Sequence, residues 1–366
     1  MKKVLFVATV VKTHIMEFHL PYLKALKEAG WQTAVAARND YENPADCVIP
    51  YCDEYYDIPF ERSPFSVANI AAYKALKSVI EQNGYDVIHC HTPVGGALTR
   101  LAARKARRSG TKVFYTAHGF HFCKGAPQKN WLVFYPAEKF LSRFTDVLFT
   151  INKEDFERAK HFYAKEAVYV RGVGIDIDKF RNTQVDRAEK RKSLGIPADA
   201  FLLLSVGELN RNKNHELVIR ALAELKNPAV HYAIAGSGKL KEYLPQLAAS
   251  LGLGGRVHFL GYRNDTAELY KTADVLVHPS FREGLPVAVM EALASGLPVI
   301  ATNIRGSADL VEDGVNGYLI DNDVSSLCVK IKQQALKKHG DITVTLPEKY
   351  DLGSVISEVM RYYCGI

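Results

Sequence analysis

Short apolar runs recur along this chain at the spacing of strands separated by helices, and the pattern runs through twice. In the first half, residues 4–11, 32–37, 86–91, 112–117, 147–150 and 167–170 read as strands. They are near-continuous apolar runs rather than alternating ones, which marks strands buried on both faces of a parallel sheet. Helical patterns at 20–29, closed by Gly30, at 67–82, ended near Gly84, and at 95–108 fall between them. The rhythm breaks at Arg171-Gly172-Val173-Gly174-Ile175-Asp176, which is followed by a polar, charged helix up to Leu194. Strands then restart at 201–206, 231–235, 257–260, 275–278 and 299–301. With 366 residues, the chain is long enough for two α/β domains, each a doubly wound parallel sheet, spanning 1–172 and 173–349.

Composition narrows the class. No run of about 18 uninterrupted apolar residues occurs, so no membrane-spanning helix is expected. The opening Met1-Lys2-Lys3 and its apolar run superficially match a signal peptide. Lys12 and His14 interrupt the run and no small-residue cleavage site follows, so a first buried strand is the better reading. Six cysteines show no Cys-x2-Cys pair and no zinc-ligand spacing, which suits free thiols in a reducing, cytoplasmic compartment. The charge is lopsided: residues 1–172 carry 24 Lys+Arg against 17 Asp+Glu, and residues 173–366 carry 23 of each. Between Asp86 and Glu138 there is no acid but eight bases, Arg100, Arg104, Lys105, Arg107, Arg108, Lys112, Lys124 and Lys129. Such asymmetry bears on partners rather than fold.

The densest chemistry lies at residues 281–292, Phe-Arg-Glu-Gly-Leu-Pro-Val-Ala-Val-Met-Glu-Ala. Proline suits the first turn of a helix. Glu283 is thus expected in the loop, at the mouth of the helix that carries Glu291. Backbone N–H groups at a helix start attract anions, while carboxylates accept hydrogen bonds from hydroxyls. A ligand with both phosphates and sugar hydroxyls, such as a sugar nucleotide, fits that pair. An apolar strand ending in His278-Pro279-Ser280 precedes the element and a turn and strand follow it, placing it where open α/β sheets bind ligands.

This Glu-x7-Glu element, with Pro279-Ser280 before it and Gly284-Leu285-Pro286 inside it, resembles the donor-site signature of family-four retaining glycosyltransferases. The resemblance implies the GT-B fold, two Rossmann-like domains facing across a cleft, with the last helix (about 350–366) crossing back to the first domain. It implies that Glu283 holds hydroxyls of the donor sugar and Glu291 the ribose, with Gly284 and Leu285 in the same donor loop. Lys213, in Gly207-Glu208-Leu209-Asn210-Arg211-Asn212-Lys213, matches the lysine that the family sets on the diphosphate. Glu208 stands where the family usually has arginine, and Arg211 is the candidate replacement. Gly236 and Gly238 form a glycine turn beside the nucleotide; the Gly-Lys there is followed by Leu240, which excludes a Walker A loop. Tyr262 and Arg263 lie in the family's base-contacting loop, where backbone groups read the base.

In the first half, Thr116-Ala117-His118-Gly119 matches the family's Thr-x-His-Gly element beside the reacting sugar. His91, His121, Lys12 and His14 are acceptor-side candidates. Metal binding by His89 and His91 lacks an evident third ligand. Asp176-Ile-Asp178 and Asp321-Asn-Asp323 resemble the Asp-x-Asp motif of the other glycosyltransferase architecture, but one lies in the interdomain linker and the other in a loop. No cofactor and no catalytic metal are therefore expected.

The expected function is transfer, with retention, of a hexosyl or N-acetylhexosaminyl group from a nucleotide sugar (UDP by family frequency). The expected acceptor is lipid-linked or a saccharide, in bacterial cell-surface or exopolysaccharide biosynthesis. A same-fold epimerase or phosphorylase would need a different carboxylate set or a pyridoxal-bearing lysine, and no signature of either is seen. A non-enzymatic nucleic-acid module lacks an aromatic-interleaved motif. The acid-free stretch, with aromatics at Phe120, Phe122, Trp131, Phe134 and Tyr135, suits an anionic bilayer surface, although core aromatics would give the same pattern. The enzyme is accordingly expected at the inner face of the plasma membrane, with its first domain towards the lipid.

Overall fold

The computed structural model describes residues 1–336 and 344–365. The chain divides into two compact units, Met1–Val173 together with the segment from Gly353 onward, and Gly174–Leu352. The first unit holds seven strands: β1 (Lys3–Val10), β2 (Gln32–Arg38), β3 (Glu54–Asp57), β4 (Val87–His91), β5 (Lys112–Ala117), β6 (Val147–Thr150) and β7 (Glu166–Tyr169). All pairings are parallel, in the order β3-β2-β1-β4-β5-β6-β7. The second unit holds β8 (Phe201–Val206), β9 (Val230–Ala235), β10 (Val257–Gly261), β11 (Val275–His278), β12 (Val299–Thr302) and β13 (Gly317–Ile320). Its parallel order is β10-β9-β8-β11-β12-β13. Both are doubly wound sheets, as the apolar runs predict.

Alternate residues of β1 feed two cores. Leu5 and Val7 pack on one face with Ala34, Ile88, Val113 and Leu148. Val4, Phe6 and Ala8 pack on the other with Val35, Val87, Phe114 and Phe149. That second core is completed by the C-terminal helix Leu352–Cys364, through Val355, Val359 and Tyr363. Tyr363 is fully buried, its ring edge-on to Phe114 and Trp31 and its hydroxyl 2.5 Å from His89 Nδ1. In the second unit Leu203, Val218, Leu222, Tyr232, Val277 and Ile300 share one core.

Several local expectations are corrected. The helix read at 95–108 begins at Pro93, which occupies the first turn, and divides into Pro93–Ala102 and Arg104–Arg108. The polar helix before Leu194 is two helices, Ile177–Asn182 and Arg187–Ser193, each started by an aspartate cap, Asp176 and Asp186. Strand β3, the π-helical turn Val11–Ile15 and the helix Gln128–Leu141 went unread. The basic helix is also less available than its composition suggests. Arg100 is buried, 2.9 Å from Glu138 and 4.0 Å above the Tyr115 ring. Arg107 makes a two-point bond to Asp146, at 2.9 and 3.1 Å. Phe120 and Phe122 are buried, and Trp131, Phe134 and Tyr135 pack against the same core. These aromatics pack inward, as the core alternative has it.

Tyr363 closes the first unit's core, and large-to-small changes at such sites cost about 3–5 kcal/mol. Tyr363→Ala is expected to lower the urea midpoint of the full chain strongly. An unchanged midpoint would show that the terminal helix contributes little to the first unit's stability.

Candidate functional site

In each sheet the strand order reverses between two central neighbours, β1 and β4 in the first unit and β8 and β11 in the second. Crossovers leave such a pair in opposite directions, opening a crevice at the carboxyl ends. The side chains singled out by sequence gather at these two places.

In the second unit, Lys213 lies in the loop after β8 and Glu283 in the loop after β11. Two hydrogen bonds stitch the loops together: Phe281 N–H donates to the Asn212 carbonyl at 2.9 Å, and the side-chain Asn212 Nδ2 donates to the Arg282 carbonyl at 2.9 Å. Lys213 Nζ then stands 2.8 Å from Glu283 Oε1, and His278 Nε2 stands 3.1 Å from the same oxygen. Burial alone would raise the Glu283 carboxyl. The His278 bond and the Lys213 charge outweigh it and hold the group well below the usual carboxylate range. Burial lowers the pKa of His278, against the raising effect of Glu283. Glu291, on the helix Val287–Ala294, accepts from the buried Tyr270 hydroxyl at 2.8 Å. Burial raises its pKa.

Backbone closeness explains the glycines. A Cβ on Gly236 would stand 1.9 Å from the Gly207 carbonyl oxygen, and one on Gly238 2.6 Å from that of Leu209. The turns after β8 and β9 thus touch through backbone alone. Gly284 is approached equally closely by Gly306, and Leu285 beside it is buried. Tyr262 is exposed, and the Arg263 side chain is engaged with Asp265 at 2.7 Å. Arg211 is exposed and lines a cavity of about 640 Å³ with Asn210, Asn214, Tyr243 and Phe281. Both Asp-x-Asp pairs have structural duties. Asp176 accepts from Lys179 N–H at 2.9 Å and Asp323 from Ser326 N–H at 2.8 Å, each capping a helix.

In the first unit, His14 follows β1, His91 ends β4 and His118 follows β5. His91 Nδ1 and His118 Nε2 are 3.4 Å apart. His19, which the sequence reading passed over, joins them: one ring nitrogen from each of His14, His19, His91 and His118 falls within 4.8 Å of the others. Histidines that the sequence does not place together thus gather around His91, whereas His89 is a bystander, held by Tyr363 and by Thr116 Oγ1 at 2.8 Å. No linear signal reveals the cluster, because its members come from three segments. His121 sits apart, exposed, its ring 4.9 Å from that of Phe134. Lys12 is exposed, its amine 5.4 Å from the Tyr41 ring centre. His14 and His121 also line a largely apolar cavity of about 470 Å³, with Thr9, Arg62, Val94, Leu98 and Leu141.

Burial holds His89 near 3 and His118 and His215 near 4, below the ordinary 6.5. Below pH 6.5 the unfolded chain takes up protons that the folded chain refuses. Stability is thus full above that pH and falls as pH drops towards 4, by ~1.4 kcal/mol per group per pH unit. Urea unfolding at pH 7.5 and pH 5 is expected to give a clearly lower midpoint at pH 5; equal midpoints would contradict the neutral-histidine assignment.

Comparison with known proteins agrees with this architecture. Residues 186–339 match the family described as glycosyl transferases group 1, and residues 3–152 that described as glycosyl transferase 4-like. EpsD of Bacillus subtilis (strain 168) is 46% identical over 91% of this chain and 87% of its own length. The Escherichia coli UDP-Gal:alpha-D-GlcNAc-diphosphoundecaprenol alpha-1,3-galactosyltransferase is 33% identical over 72% of this chain and 71% of its own. Among solved structures, Anabaena HepE in complex with UDP and glucose superposes with a TM-score of 0.80, at 21% identity and full coverage of both chains. The chain belongs to the group 1 glycosyl transferases and is a glycosyltransferase of the two-domain GT-B fold.

Proposed function

We propose that this glycosyltransferase acts with retention, taking a sugar from a UDP-linked donor held by the second unit and passing it to a lipid-linked acceptor held by the first. The observation that carries the donor half is the Lys213–Glu283–His278 constellation at the β8/β11 switch point, beside a glycine turn that lets two backbones close up. Splitting a sugar–phosphate bond leaves a diphosphate whose growing charge needs a cation already in place. Lys213 is that cation, kept in position by Glu283, with Arg211 near the same loop. Glu283 accepts from donor-sugar hydroxyls and Glu291 from the ribose, the latter braced by Tyr270. In the transfer, the C1–O bond to phosphate breaks with its electron pair on the phosphate oxygen. The acceptor hydroxyl attacks C1 from the same face, and its proton passes to that oxygen. No metal is needed for charge neutralisation in this scheme, since Lys213 supplies it and the Asp-x-Asp pairs cap helices. HepE, solved with UDP and glucose, and the UDP-galactose enzyme from E. coli support the choice of nucleotide.

Glu291→Ala is expected to weaken UDP binding by about tenfold or more, the loss of a charge-assisted hydrogen bond of ~1.5–3 kcal/mol. Glu283→Ala is expected to spare UDP affinity and to damage turnover, and Lys213→Ala to damage turnover severely, with no added Mg²⁺ or Mn²⁺ required. Titration calorimetry with UDP and a product assay check each; equal UDP affinity in Glu291→Ala and wild type would overturn the assignment.

The acceptor half rests on a surface. Helix Gln128–Leu141 turns Leu132, Val133, Pro136, Ala137 and Phe140 outward, a spacing that makes one apolar face. Leu132 is 77% exposed; Phe65 and Val67, 80% and 81% exposed, stand beside Pro64. Pro64, Phe134 and Ala137 line the 470 Å³ cavity, so exposed apolar residues flank an apolar pocket. With Lys129 and Arg143 exposed at the helix ends, the face suits the interface of an anionic bilayer. Among the described residues no helix is long and apolar enough to cross a membrane. A lipid diphosphate acceptor, as the name of the E. coli relative describes, would be met by lying on the membrane. We expect binding to vesicles containing anionic lipid, reduced by high salt and lost on replacing Leu132 and Phe140 together by serine. Wild-type protein that ignores such vesicles at low salt would favour a soluble acceptor.

A further inference from the structure

The first unit contains buried polar atoms that the transfer reaction does not explain. His19 and His91 are each only 2% exposed. Both ring nitrogens of His19, Nε2 of His91 and Nε2 of His14 are buried without a hydrogen-bond partner. Buried imidazole nitrogens left unsatisfied are costly, and an ion or water normally answers them. The four rings converge: those of His19 and His91 have centres 3.8 Å apart, and those of His14 and His19 4.9 Å apart.

We propose that His14, His19, His91 and His118 form a four-imidazole site for a divalent transition metal, Zn²⁺ above all, which ties the segment after β1 to the ends of β4 and β5. Zinc takes four nitrogen ligands tetrahedrally at about 2.0–2.1 Å, so neighbouring nitrogens lie about 3.4 Å apart. Through its Nδ1, His91 already stands at that separation from His118 Nε2, 3.4 Å, so in this arrangement its unpartnered Nε2 is not the ligand atom. The four ligand nitrogens all lie within 4.8 Å of one another. An all-nitrogen set, without carboxylate or thiolate, suits zinc and its late first-row neighbours rather than magnesium or calcium.

The backbone is shaped for the purpose. His14 and His19 are five residues apart, which on a regular α-helix would turn them to different faces. The π-helical turn Val11–Ile15, with Met16 N–H bonding to the Val11 carbonyl, carries His14, and the two rings nevertheless meet with centres 4.9 Å apart. His89 supports the site from behind, its two nitrogens fixed by Tyr363 and Thr116. The metal so placed is a clamp within the first unit. It stands apart from the donor chemistry of the second unit, and its failure would leave the assignments of Glu283, Glu291 and Lys213 untouched.

The test uses tag-free full chain, stripped with chelator, dialysed against ZnCl₂ and then against metal-free buffer. Elemental analysis is expected to find one zinc per chain, with a melting temperature several degrees above that of the stripped protein. Loading with Co²⁺ instead is expected to give the intense visible bands of a tetrahedral ion. His19→Gln and His14→Gln are expected to lose retained zinc, whereas His161→Gln, on the surface, keeps it. His19→Cys, which preserves a ligand, is expected to restore binding and to add a sulfur-to-cobalt charge-transfer band. Wild-type protein that retains no zinc, folded His19→Gln that retains as much as wild type, or His19→Cys that binds Co²⁺ without the new band would each overturn the proposal.

Discussion

Everything distinctive in this chain depends on one topological constraint: each parallel sheet reverses its strand order between two central neighbours. Neither β1 and β4 nor β8 and β11 can have their following loops covered by one crossover, since their helices pack on opposite faces. The loops that leave those strands must therefore end in an open crevice. There the chain concentrates its unusual chemistry, the histidines after β1, β4 and β5, and Lys213 and Glu283 after β8 and β11.

The second crevice is electrostatically prepared before any ligand arrives. A buried carboxylate is expensive unless paired, and Glu283 is paired twice, with Lys213 and His278. The arrangement holds Lys213 near where a diphosphate would sit, so little reorganisation is needed when a leaving group develops charge. The first crevice is prepared differently. It gathers neutral rings and leaves their nitrogens unanswered, beside an apolar cavity bounded by exposed hydrophobic residues. One crevice presents charged groups, the other neutral rings and apolar surface.

How much of this the residues disclose in advance depends on whether the information is local. The fold was legible because buried parallel strands are uniform apolar runs, and residues 281–292 were legible because carboxylates, glycine and proline carry their meaning within one loop and one helix. Helix Gln128–Leu141 was not, because it is apolar on its outer face as well as its inner one, and Pro136 interrupts it. Arg100 counted as surface charge in composition, yet Glu138, 38 residues later, draws it into the interior. The histidine cluster needed three segments and a π-helical turn, none of which leaves a trace in spacing. His19 went unnoticed for that reason.

The central claim is that the two crevices divide the labour, with the nucleotide belonging to the second alone. Hydrogen–deuterium exchange of the full chain, with and without saturating UDP, tests it directly. The account predicts protection at residues 207–214 and 281–291, and unchanged exchange after β1 and β4, at residues 11–19 and 92–97. Protection confined to the first unit's loops, or absent from both, would contradict it.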